Sequence, residues 1–371
     1  MTSAVRPFTI AIPQSQLDDL RTRLALTRFP EKEIVEDWDQ GIPLSYVKEV
    51  AAYWAEGYDW RRCETALNAH PHYLTEIDGL DVHFMHIRSA NPQARPLIMT
   101  HGWPGSVLEF MAVIAPLSAD FHLVIPSLPG YAFSGKPTTP GWDIAHIANA
   151  WDHLMRRLGY DRYFAQGGDW GAAVTDAIGQ QNRGACAGIH VNMVIARADP
   201  ATMADLTARE QAGLARMGWY QTKDNSYATQ HRTRPQTLGY GLADSPVGQM
   251  AWILEKFHGW SDCDGDPENV FSRDHLLDNV MLYWLTNSGA SSARLYWHSF
   301  GDFPSASVQL PMGGTVAPME IFAPSRRWAE ARFKNIVHWG EPERGGHFLA
   351  MERPTTFVAE VRAAFAAMSM D

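Results

Sequence analysis

An α/β fold around a mostly parallel sheet is predicted by three observations. From Pro96 onward, short apolar strands alternate with amphipathic helices. The stretch Gly167-Gly168-Asp169-Trp170-Gly171 follows one such strand and opens a helix, as a tight strand-to-helix turn does. The alternation lapses over 197–295, a segment of helical spacing crowded with Trp, Tyr and Met, and then resumes.

Residues 16–26 and 45–54 have helical spacing, and each follows a proline-containing segment. Residues 73–88 hold Ile77-Asp78-Gly79-Leu80, a turn between alternating runs, and predict a hairpin. Residues 97–100 and 123–125 read as buried strands, 143–158 as a helix, 163–166 as the next strand and 170–181 as the next helix. Residues 188–196 follow as a strand. After the interruption come strands at 312–318 and 336–339 and a last helix at 354–368. The predicted organisation is an N-terminal helical and meander extension (1–92), a core (93–196), a helical lid (197–295) and the rest of the core (296–371). A helical insertion at the active edge of such a sheet reads as a lid.

The chain has 371 residues, 46% of them hydrophobic, enough for a sizeable core. A net charge of −10 argues against nucleic acid or an anionic membrane as partner. Cys63, Cys186 and Cys263 are odd in number, far apart and outside zinc spacing. They read as free thiols in a reducing compartment. Residues 1–16 carry no basic stretch leading into an apolar core, so no signal peptide is expected. No apolar run reaches the roughly 18 residues of a membrane span. A cytoplasmic location without a membrane anchor is expected. The tryptophan-rich N-terminal part predicts exposed apolar surface, which a homodimer would cover.

The turn at Asp169 has the Gly-x-nucleophile-x-Gly shape of a nucleophile elbow. Its glycines leave room for the turn, which pushes the central side chain out at the top of the sheet. A carboxylate there attacks a saturated carbon and leaves an ester, which water can open. A serine would leave an ether. The residue type predicts cleavage of a carbon–heteroatom bond. The base and acid should follow in the chain. His347, in Gly345-Gly346-His347-Phe348 between a strand and the last helix, is the predicted base. Glu320, after Thr315-Val316-Ala317-Pro318, is the predicted acid that orients it, with Asp302 as competitor. Glu320 is favoured because loops converge at strand ends.

His101-Gly102-Trp103-Pro104 follows the first core strand. The backbone amides of Trp103 and Trp170 are therefore the predicted oxyanion hole. His101 is predicted to fix that loop rather than to bind metal. Breaking a neutral carbon–oxygen bond leaves an alkoxide that needs a donor. Tyr227, inside the insertion, and Tyr296, at its return, are the candidates by position. No metal-ligand or dinucleotide spacing occurs, so no metal and no cofactor are expected.

These motifs give the chain a resemblance over nearly its whole length. Asp59-Trp60-Arg61, Leu67-Asn68 and residues 77–84 look like one family's N-terminal domain. His101-Gly102-Trp103-Pro104-Gly105-Ser106, Gly167-Gly168-Asp169-Trp170-Gly171 and Arg344-Gly345-Gly346-His347-Phe348 look like its core motifs. Asp244-Ser245-Pro246-Val247-Gly248 and Ile253-Leu254-Glu255-Lys256-Phe257 are similar to its cap. The chain resembles the microsomal-type epoxide hydrolases of the α/β-hydrolase superfamily, including bacterial soluble members.

The resemblance implies an α/β-hydrolase core, Asp169 as nucleophile, His347 as base and Glu320 as acid. It implies that Tyr227 and Tyr296 hold the epoxide oxygen, and that they line the substrate with Trp103 and Trp170. The expected partners are a small apolar epoxide and water. Membrane-bound members begin with an anchor helix, which this sequence does not show. A haloalkane dehalogenase would use the same aspartate and is the alternative. An elbow without serine disfavours an esterase. Intact catalytic residues disfavour a binding module without activity.

Overall fold

The computed structural model describes residues 4–301, 303 and 305–370. Nine strands form one sheet in the order β1-β2-β3-β5-β4-β6-β7-β8-β9. They are β1 (Arg6–Phe8), β2 (His72–Ile77), β3 (Leu80–Ile87), β4 (Arg95–Thr100), β5 (Phe121–Pro126), β6 (Tyr163–Gly167), β7 (Cys186–Val191), β8 (Met312–Thr315) and β9 (Ile336–Gly340). From β5 across to β9 the pairing is parallel. The expected hairpin is β2–β3. Its turn residues Asp78 and Gly79 have φ of 50° and 80°, the mirror-image turn that suits strand twist. β3 also pairs antiparallel with β5, so the hairpin extends the core sheet.

The middle of the sheet is fully buried. Every residue of β6 and β7 is covered, as expected for parallel strands packed on both faces. Before the end of β7 the helices are α1 (Gln14–Ala25), α2 (Leu44–Glu56), α3 (Trp60–Asn68), α4 (Met111–Leu117), α5 (Ile144–Arg157) and α6 (Trp170–Gln181). Between β7 and β8 come α7 (Ala208–Trp219), α8 (Ser226–Thr233), α9 (Pro235–Asp244), α10 (Pro246–Trp260), α11 (Arg273–Leu285) and α12 (Gly289–Ser299), which runs four residues past the expected lid boundary at 295. After β8 come α13 (Arg326–Ala329), α14 (Leu349–Glu352) and α15 (Pro354–Ala366).

Some expected strands run too long. β7 ends at Val191 instead of residue 196, because Asn192 turns out of the sheet and accepts a 2.9 Å hydrogen bond from Gln166 Nε2. β8 ends at Thr315 instead of residue 318, where the chain folds back and the Glu320 amide donates to the Ala317 carbonyl. The sequence pattern gives no sign of β1, α3, α4, α13 or α14. α4 carries Pro116 within it, which hides the helix from pattern reading.

The N-terminal helices brace α11. Arg62 of α3 reaches Asp278 of α11 at 2.6 Å, and the Tyr58 hydroxyl donates to the same carboxylate at 2.8 Å. Tyr53 of α2 donates to Asp274 at 2.7 Å. Among the described residues no helix is long and apolar enough to cross a membrane. Cys63, Cys186 and Cys263 are free and buried.

Candidate active site

Asp169 stands between the end of β6 and the start of α6, with φ 51° and ψ −126°. That backbone is strained for a residue with a side chain, and such strain concentrates at functional sites. Neighbouring glycines make it possible. A Cβ on Gly171 would lie 1.8 Å from the Thr100 carbonyl oxygen, and one on Gly167 would lie 2.0 Å from the Gly171 oxygen. Any side chain would force β4, β6 and α6 apart.

Asp169 Oδ1 accepts the Trp103 amide at 2.7 Å. The loop carrying Trp103 is held from two sides. His101 is buried, with Nδ1 3.0 Å from the Gly102 oxygen and Nε2 accepting from the Leu128 amide at 3.2 Å. Both ring nitrogens thus serve the backbone, and burial pushes the imidazole down to about 4. From the lid, Asn279 donates to the Pro104 oxygen at 2.6 Å and accepts from Ser106 at 2.8 Å. Tyr283 donates to the Gly105 oxygen at 2.7 Å. Of the two predicted amides, that of Trp103 makes the bond to Asp169. That of Trp170 lies next in the chain, in the first turn of α6.

His347 Nε2 is 3.4 Å from Asp169 Oδ2, and Nδ1 is 2.7 Å from Glu320 Oε1. Glu320 is fully buried, and the same oxygen accepts the Ile321 amide at 2.6 Å. Asp302, the competing acid, lies outside the described residues. Burial alone would lower the His347 pKa. The carboxylates of Glu320 and Asp169 outweigh it and hold the imidazole well above its ordinary value.

Tyr227 of α8 and Tyr296 of α12 bring their hydroxyls to 3.5 Å from each other. The Tyr227 ring stacks on Trp103 at 4.8 Å, nearly parallel. The Tyr296 ring meets Trp170 edge-on at 4.7 Å. Burial pushes both phenols well above their ordinary pKa, so they remain protonated donors. Asp169, Trp170, Tyr227 and Tyr296 line one cavity between lid and core. Its volume is about 20 Å³, room for one water.

Several groups that no sequence motif marks also meet here. Tyr220 places its hydroxyl 3.2 Å from that of Tyr227. The two lie seven residues apart, two helical turns, a spacing that could have signalled a shared face. Met193, Phe300, Phe303, Ile321 and Phe322 complete the lining and carry no sequence signal beyond their apolarity. Glu109, whose Oε1 would lie 1.6 Å from a Cβ on Gly105, is pushed up to about 8 by burial.

Known proteins resemble this chain over nearly its whole length. Residues 5–110 match the family described as epoxide hydrolase N terminus, and 95–237 match the alpha/beta hydrolase fold. A candidate epoxide hydrolase of Stigmatella aurantiaca is 49% identical over 97% of this chain and 84% of its own length. Epoxide hydrolase 1 of Oryctolagus cuniculus is 32% identical over 96% of this chain and 88% of its own. The chain belongs to the epoxide hydrolase family. The solved structure of Aspergillus niger epoxide hydrolase superposes with a TM-score of 0.91 at 34% identity, covering 99% of this chain and 97% of that one. The α/β-hydrolase fold and epoxide hydrolysis expected from the sequence are both borne out by these relatives.

Proposed function

We propose that this epoxide hydrolase works through a covalent ester on Asp169. The observation that carries the reading is the chain of contacts Trp103 amide, Asp169, His347, Glu320. Asp169 attacks an epoxide carbon from the side opposite the C–O bond that breaks. Tyr227 and Tyr296 hold the oxygen and protonate it as it leaves. The result is a hydroxyalkyl ester.

Charge then prepares the second step. In the resting site two carboxylates keep the proton on His347. Esterification removes the charge of Asp169, and with it one reason for His347 to stay protonated. The proton lost from His347 returns to the phenolate left when the alkoxide took its proton, so both phenols are neutral again. Neutral His347, oriented by Glu320, next takes a proton from water, which attacks the ester carbonyl. The tetrahedral oxyanion sits on the amides of Trp103 and Trp170. Collapse expels the alkoxide, which takes the new carboxyl proton and leaves as a vicinal diol. Asp169 is an anion again beside a protonated His347.

The small cavity bears on the substrate. An epoxide fits only if the aromatic lining or the lid, 197–295, moves, and that lining favours an apolar ligand. A cytoplasmic location suits three unpaired thiols. Self-association as a homodimer would cover Leu26 and Ile34, exposed apolar residues of the N-terminal extension.

A single turnover in heavy-oxygen water tests the mechanism. The diol should leave unlabelled while Asp169 acquires the label. A labelled diol in the first turnover would contradict it.

A further inference from the structure

Lys256 is a cation withdrawn from water. Its side chain on α10 is 3% exposed, and its ammonium lies 2.8 Å from Asp224 Oδ1 and 3.0 Å from Glu255 Oε2. Asp224 is also buried, and its other oxygen accepts the Trp260 indole N–H at 2.7 Å. Replacing a buried ion pair by apolar side chains often leaves a protein as stable or more so. Lid stability by itself therefore gives no reason for a lysine at this position.

Its neighbours give one. Lys256 Nζ is 4.8 Å from the centre of the Tyr227 ring. Asp224 ends the π-helical turn Tyr220–Asp224, and the turn's first residue brings its hydroxyl to that of Tyr227. Trp260, bound to the same carboxylate, packs edge-on against His347 at 5.0 Å. One buried cluster thus touches both phenols of α8 and its approach, and reaches the base through an indole.

We propose that Lys256 is a positioning residue for ring opening. Its ammonium, clamped by Asp224, fixes the Tyr227 ring and stabilises negative charge on it, so the hydroxyl donates more strongly to the departing oxygen. This rests on Tyr227 being a phenol that meets that oxygen. A cation near an aromatic face is attracted by the π electrons, and more so when desolvated. The phenol becomes electron-rich as its proton moves to an alkoxide, so the attraction grows toward the transition state. Only such a difference speeds a reaction. Ester hydrolysis relies on His347 and water, so the effect belongs to the first half-reaction.

Rapid-quench kinetics with styrene oxide, reading formation and decay of the covalent ester by mass, separate the two steps. Lys256→Met should slow ester formation by about tenfold or more, the scale of a desolvated cation–π contact, and leave decay unchanged. Lys256→Arg keeps a cation there and should restore most of the rate. Because Lys256→Met strands a buried carboxylate, the double variant Lys256→Met/Asp224→Asn is measured beside it and should show the same split. Equal slowing of both steps, or no slowing of either, would overturn the proposal. So would failure of both variants to fold, which would make the lysine purely structural. Absence of any ester in the unaltered protein is a separate result that removes the Asp169 mechanism, and this proposal with it.

Discussion

The Trp103 amide lies 2.7 Å from Asp169 Oδ1, joining positions 66 residues apart in the chain. This contact ties the loop after β4 to the turn after β6. It holds the carboxylate with one oxygen on a backbone donor and the other toward His347. The same amide is aimed at the atom that carries negative charge again when the ester is hydrolysed. Because α11 anchors the loop through Asn279 and Tyr283, that helix takes part in orienting the Asp169 carboxylate.

Gly102 tests that geometry. A Cβ there would lie 2.1 Å from Asp169 Oδ1, so alanine must displace either the loop or the carboxylate. Gly102→Ala should lower kcat/KM for an aryl oxirane by about 10²-fold, the effect of a misplacement near 1 Å. Circular dichroism should show the fold intact. An unchanged rate would mean that the nucleophile tolerates another orientation.

The phenols make a prediction about one half-reaction. Tyr227→Phe and Tyr296→Phe together should slow ester formation by about 10²–10⁴, the usual worth of general acid catalysis. Tyr220→Phe removes only the hydroxyl at 3.2 Å from Tyr227 and should cost much less. If the double variant formed the ester at the normal rate, the oxygen would have another donor.

Much of this site was legible in the sequence because its parts are short and local. The elbow needs glycines around Asp169, and the loop at Trp103 and the turn before His347 are equally compact. Their order along the chain also carried information. Lys256, Asp224 and Trp260 were not legible as a cluster, since each is an ordinary lid residue until the helices pack. The Trp103–Tyr227 stack depends in the same way on docking the lid. The strand ends failed for a related reason. Residues 192–196 are apolar enough to extend β7, yet the side chain of Asn192 bonds across to Gln166 and the chain leaves the sheet. A three-residue strand such as β1 is set by its partner β2 and has no pattern of its own.

Glu352 links pH to stability. Its carboxylate accepts the amides of Asp262 and Phe348, each at 2.9 Å. Burial nevertheless pushes it up to about 7, with the nearby Glu320 charge adding to the rise. The folded protein therefore holds this proton where the unfolded chain, near the ordinary glutamate value of 4.5, has lost it. Stability from this group is complete below that unfolded value and is lost as pH rises through the folded one. The thermal midpoint should fall between about pH 5 and 7 on this account. Glu352→Gln should be less stable by roughly 1–3 kcal/mol, because one amide loses its acceptor, and its midpoint should vary less with pH. An equally steep slope in the variant would assign the effect to other carboxyls.

The covalent bond to Asp169 is the claim on which the mechanism turns, and intact-mass spectrometry of His347→Gln incubated with an epoxide tests it most directly. Ring opening proceeds in that variant while ester hydrolysis stalls, so the protein should gain the mass of one epoxide, mapped by proteolysis to Asp169. A protein that consumes epoxide with no added mass at that residue would contradict the account.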